Sequence, residues 1–183
     1  MAERFETRDW VPFPVELVFA FFANPSNLPY LMPPGQKARV EDIRLQPPPP
    51  RPLASDPARR FRSLAAGKGT EIIISFSPVS WLPQRLGWTA RIVEFEWNSH
   101  FEDEQVKGPF KSFHHRHGTA IEVRNGVEGT TVTDEVEYVV PGGAVGGLAS
   151  GIVRRQIEQT FAFRQKRLPE ILAAAARQAV QRR

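Results

Sequence analysis

The sequence predicts an α+β fold: a curved antiparallel sheet wrapped around one long C-terminal helix, with two short helices after the first strand. Three observations point there. A strand-like opening is followed at once by two short helical patterns, a long central run alternates apolar and polar residues between turn signals, and the end of the chain switches to helical periodicity. With 183 residues, 41% apolar content and 13 phenylalanines, the chain can bury one core, and residues 1–183 are expected to form one domain.

Arg4 to Val11 reads as the first strand. Pro12-Phe13-Pro14 then turns the chain into VELVFAFFAN, where Val15, Val18, Phe19 and Phe22 recur at helical spacing. Asn24-Pro25 stops that helix and caps a second short one in PSNLPYLMPP. Gln36 to Gln46 alternates as a strand. The proline-rich stretch 46–66 follows, with four successive prolines that favour an extended, solvated conformation and cannot sit inside a sheet; it reads as a loop or mobile excursion. Four strand segments come next: TEIIISFSP, LGWTARIVEFEW, FEDEQVKGP with its continuation KSFHHRHGTAIEV, and GTTVTDEVEYVVP. Turn material at Leu82-Pro83-Gln84, Asn98-Ser99, Gly108-Pro109 and Arg124-Asn125-Gly126 separates them, so an antiparallel meander is expected. A helix over 144–180 closes the chain, with Leu148, Ile152, Ile157, Phe161, Leu168, Ile171 and Leu172 near one side. Pro169 is expected to kink or break it.

The chain has no cysteine, which excludes disulfides, thiolate metal sites and cysteine nucleophiles and fits a reducing compartment; cytoplasm is the expected location. The start lacks the basic-then-apolar pattern of a signal peptide, and no run approaches the length of a membrane span. The net charge of +4 gathers largely in Arg51 to Arg62 and in the C-terminal helix. A basic helix reads first as a solvated face, leaving nucleic acid, ribosome or a weak membrane-surface contact as lesser alternatives. GGAVGGLASG before the last helix lacks the spacing and the Lys-Ser/Thr pair of a phosphate loop; its small residues let the helix approach the sheet or keep one mouth of the fold mobile.

Strand alternation sorts the central polar cluster. Phe101, Asp103 and Gln105 share one strand face, Phe113, His115 and His117 another, and Val132, Asp134, Val136 and Tyr138 a third. If the large apolar members point inward, Asp103, Gln105, His115, His117 and Asp134 go with them. Arg91 joins them if Val93, Phe95 and Trp97 mark the inner face of their strand, although the opposite face, Ala90 and Ile92, leaves that strand ambiguous. Buried carboxylates need partners, and His-Asp pairs would satisfy both groups.

VPFPVELVFAFFANPSNLPYLMP, FEDEQVKGPF with FHHRH, and GTTVTDEVEYVVP together resemble the START-like, helix-grip superfamily known as SRPBCC, in its polyketide cyclase/dehydrase and lipid transport group, specifically the bacterial single-domain ligand-binding members. The resemblance implies a hydrophobic cavity between sheet and C-terminal helix for a lipid, isoprenoid, quinone or polyketide-like ligand. No cofactor is implied. The longer proline-rich loop, and Phe113 where relatives often carry tryptophan, depart from the pattern and bear on the shape of the cavity.

Candidate ligand-binding residues are therefore Arg91, Phe101, Asp103, Gln105, Phe113, His115, His117, Asp134, Tyr138 and Phe161. A binding protein without catalysis is one reading. A cofactor-free cyclase or dehydratase is the other, with His115 or His117, oriented by Asp103 or Asp134, as acid-base group. A metal reading rests on His115-x-His117 with Glu122 and Gly129, a cupin-like spacing. Gly108 is out of register for that motif, and alternation puts Glu122 on the other face, so no metal is expected.

Overall fold

The computed structural model describes residues 2–61, 63–78, 84–142 and 146–181, with side chains in the last segment described from 150 to 178. Leu82, Pro83, Gly143, Ala144 and Val145, and the side chain of Leu148, lie outside the described residues.

Seven strands form one antiparallel sheet: β1 (Glu3–Val11), β2 (Arg39–Arg44), β3 (Glu71–Phe76), β4 (Leu86–Glu96), β5 (His100–Lys107), β6 (Ser112–Arg124) and β7 (Val127–Val139). Their order is β1-β7-β6-β5-β4-β3-β2, so β2 to β7 run as a meander and the first strand closes onto the last. FEDEQVKGP and its continuation KSFHHRH form two strands, parted at the expected Gly108-Pro109 turn. Gly108-Pro109 ends β5, because proline cannot donate to a ladder, and the Gln105 side chain bridges the turn by donating to the Phe110 carbonyl and accepting from the Phe110 amide. At the far end, Asn125 and Gly126 both have positive φ (50° and 76°), the conformation that a two-residue hairpin between β6 and β7 requires.

Helix α1 (Val15–Phe22) is buried almost all round. On one side Val18, Phe21 and Phe22 meet Val11, Leu31, Val132, Leu168 and Leu172; on the other, Phe19 meets Ala23 and Ala65, with Phe95, Trp97 and Phe101 packed against them. A one-sided stripe was the expectation; two-sided burial explains why Ala20 and Phe21 are sealed as well. The second short helix is a 3₁₀ turn, Pro25–Leu31, capped by the Asn24 side chain. Another short 3₁₀ turn takes Gln36, so β2 begins later than expected.

The proline-rich loop does not stand away from the fold. The Trp97 indole N–H donates to the Pro49 carbonyl at 2.7 Å, the Arg51 guanidinium lies 4.3 Å from the Trp97 ring, and the Ala66 amide donates to the last carbonyl of the α1 segment, Ala23, at 2.9 Å. The loop is the outer cover of α1.

Helix α2 (Gly146–Gln181) runs through Pro169 without the break that was one of the two expectations there. Pro169 itself is exposed, whereas Leu168 and Leu172 on either side are fully buried. Tertiary burial of the two leucines outweighs the missing hydrogen bond. The apolar side is also shorter than expected: Ile152 is exposed. No helix among the described residues is long and apolar enough to cross a membrane.

Candidate functional site

The ladder register assembles the polar cluster. Phe101 pairs with His117, Asp103 with His115, and His117 in turn with Asp134, so three adjacent strands bring the sequence-expected face together. His115 lies between two carboxylates, its Nδ1 3.1 Å from Asp103 Oδ2 and its Nε2 2.8 Å from Asp134 Oδ1. His117 Nδ1 donates to the same Asp134 oxygen at 2.9 Å. The other oxygen of Asp134 accepts from the Arg164 guanidinium, reaching down from α2. Asp134 thus receives three side-chain donors and needs no water to satisfy its charge.

Arg164 was not among the candidates. It sits on a helix whose cations were read as a solvated face, and exposed Arg154 and Arg167 do pair with Glu158 and Glu170 on that helix. The available signal was its position: Arg164 falls between Phe161 and Leu168 on the apolar stripe, where an inward Asp134 demands a cation. Burial pushes its guanidinium down to about 9, which leaves it charged at neutral pH. Its guanidinium also lies 4.4 Å from the Phe161 ring, and Phe161 faces His115 at 6.0 Å between ring centres.

The two histidines differ. His117 is completely buried, its ring 4.1 Å from Phe22 and 5.0 Å from Phe101, and its Nε2 has no partner among the described residues. Burial first, then the positive charge of Arg164, holds the imidazole well below its usual titration range, so it is neutral. His115 and Asp103 each keep 16% of their side-chain surface exposed, against 1% for Asp134. Both nitrogens of His115 face carboxylate oxygens, a geometry in which both can donate only as imidazolium.

The aromatic part of this face is larger than expected. Trp88 stacks edge-on against Phe113 at 4.5 Å and Phe110 at 5.5 Å, and Phe110 reaches Tyr138 at 5.6 Å. Trp88, Phe110 and Phe113 are all half-buried. Strand alternation could have found Trp88, which shares a face with Ala90 and Ile92. A groove of about 270 Å³ opens beside Gln105, Phe113 and Tyr138. A larger one, about 450 Å³, lies away from the histidines between Ser26, Pro29 and β2.

Arg91 faces the other way. It pairs across the ladder with Glu104 and binds Glu71 at 2.7 Å, while its neighbours Ala90 and Ile92 stand opposite Gln105 and Asp103. An irregularity between Ile92 and Glu94 then reverses the alternation, which is why Phe95 and Trp97 nonetheless reach the core. Gln105 is on the inner face, but its amide is spent on the Phe110 turn. The Tyr138 hydroxyl donates to Glu3, and burial raises it to about 12.

His115, His117 and Asp134 offer ligand atoms within 4.8 Å of one another, the donor types that hold zinc or iron. Arg164 places a fixed positive charge on that carboxylate, which opposes a cation there. Glu122, the third member of the cupin-like spacing, is elsewhere: its carboxylate takes Arg8, Arg124 and Thr131, with hydrogen bonds from Arg124 first among the causes that lower it to about 2.

Residues 11–164 match the family model described as polyketide cyclase / dehydrase and lipid transport. Among solved structures, the chain is similar to the ZhuI aromatase/cyclase from Streptomyces sp. R1128, at TM-score 0.60 and 14% identity over 97% of this chain and 95% of that one. It is also similar to TTHA0849 from Thermus thermophilus, at TM-score 0.56 and 17% identity over 94% and 99%. A third, Ara h 8.0201, aligns at TM-score 0.57 and 12% identity over 95% and 99%. At such identities these likenesses speak for the helix-grip fold alone. No curated protein matches the sequence.

Proposed function

The chain belongs to the polyketide cyclase / dehydrase and lipid transport family, and from that premise we propose that it binds a small hydrophobic molecule with one polar end between the concave sheet face and α2. The observation that carries this reading is the uneven burial of the inner wall. Asp103 and His115, in the middle strands, keep solvent contact beside Asp134 and His117, which have essentially none. Half-buried Trp88, Phe110 and Phe113 continue the wall toward the β5–β6 turn. An apolar lining with a few convergent polar groups is the common make-up of a ligand site. Phe161 would cover the ligand from α2, with Asp103 and His115 meeting its polar end. Asp134, His117 and Arg164 would hold those two in place.

Native mass spectrometry of protein purified without detergent, joined to a lipid and quinone binding screen, tests the proposal. A co-purified or bound apolar species is the expected result; an empty protein that binds nothing in the screen overturns it.

A second reading, a cyclase or dehydratase without a cofactor, is favoured by one observation. His115 is the accessible histidine of the pair and bridges Asp103 and Asp134, so by exchanging its Nδ1 contact with Asp103 for an oxygen of the ligand it could pass a proton there while Asp134 keeps hold of Nε2. Activity on a polyketide-like substrate that survives in His115→Ala would remove it.

A further inference from the structure

We infer that the polar end accepted by this wall is a hydrogen-bond donor, a hydroxyl or ammonium group, and that carboxylate-ended and phosphate-ended chains are refused. The inference rests on the binding reading above and narrows its ligand class. It follows from the charges that face the accessible part of the wall. Asp103 is an accessible carboxylate whose Oδ2 is held by His115, and Oδ1 has no protein partner among the described residues. Arg164, the cation reaching in from α2, is 10% exposed and already bound to Asp134. His117 is neutral through burial. Arg91, the cation that strand alternation could have placed here, is bound to Glu71 on the opposite face.

Asp103 and Asp134, with Asp9, whose charge acts on Arg164 from β1, therefore oppose Arg164 alone when His115 is neutral, and Arg164 with His115 when it is imidazolium. The sum is negative in both cases. An anionic head would approach Asp103 where Arg164 and His115, the cations of this cluster, already face carboxylates, whereas a hydroxyl or ammonium finds an open acceptor already oriented by His115. Lys111 lines the groove at the β5–β6 end, where Glu104 and Glu137 line it too.

The test uses the full chain and needs no variant for its first arm. The neutral fluorophore N-phenyl-1-naphthylamine is bound, then displaced at neutral pH by dodecanol, dodecylamine or dodecanoate, which share one chain and differ in the head. Dodecanol and dodecylamine are expected to displace it at concentrations at least about tenfold below dodecanoate, a difference of about 1.4 kcal/mol. In Asp103→Asn, checked for an unchanged circular dichroism spectrum, the preference for the amine over the carboxylate should shrink by about tenfold. Dodecanoate binding as tightly as dodecanol, or an amine preference unchanged in Asp103→Asn, overturns the assignment of the polar end and leaves the pocket standing. Failure of the fluorophore and all three chains to bind overturns the pocket, and this inference with it.

Discussion

Asp134 is the residue on which the inner cluster turns, since one carboxylate accepts from Arg164, His115 and His117. Removing its cation leaves a sealed negative charge, so Arg164→Met should cost about 3–5 kcal/mol in denaturant unfolding. Adding Asp134→Asn should restore part of that, because the two changes share one interaction and do not add. His117 predicts a pH dependence of definite sign. Its folded-state titration lies well below the usual value of 6.5, so below about pH 6.5 the unfolded chain takes a proton that the folded chain refuses. Stability is fully present above that pH and falls as the pH drops through it, by at most about 1.4 kcal/mol per pH unit from this group. Unfolding midpoints followed from neutral to mildly acidic pH should show the loss. In His117→Gln, less stable at every pH, that part of the slope should vanish.

At the scale of elements, α2 holds a proline where a helix interior disfavours one. Its ring is exposed, so Pro169→Ala removes no core contact and returns an amide donor. A gain of about 1–3 kcal/mol in thermal or denaturant unfolding is expected, and no gain would mean that the surrounding helix has adapted fully to the missing bond. The strands were legible because alternation and turn chemistry agreed: Asn125-Gly126 marks the β6–β7 hairpin, and Phe113, His115 and His117 read directly onto one face. β4 was not legible, because the irregularity near Val93 exchanges its faces midway and periodicity carries no mark of it. Nor was the packing of the proline-rich loop, whose anchors, Trp97 on Pro49 and Arg51 on Trp97, depend on residues far apart in the chain.

For the molecule as a whole, the order of elements was enough to place the helix against the sheet, since a half-apolar meander and one amphipathic helix have few ways to cover each other. What the order of elements left open was which side chain of α2 enters the wall. Arg164 was hidden by its own charge: a cation among many on a basic helix has the same sequence signature whether it is solvated or sealed. Sheet order carries one more consequence. Among the described strands β1 has a single neighbour, β7, and their register joins Glu3 to Tyr138 and Val11 to Thr130. During synthesis the first strand, and the almost wholly apolar VELVFAFF behind it, leave the ribosome well over a hundred residues ahead of that partner. At about 5–20 residues per second, the wait is on the order of ten seconds, during which this strand and the apolar helix behind it lack the sheet neighbour that covers them in the folded chain.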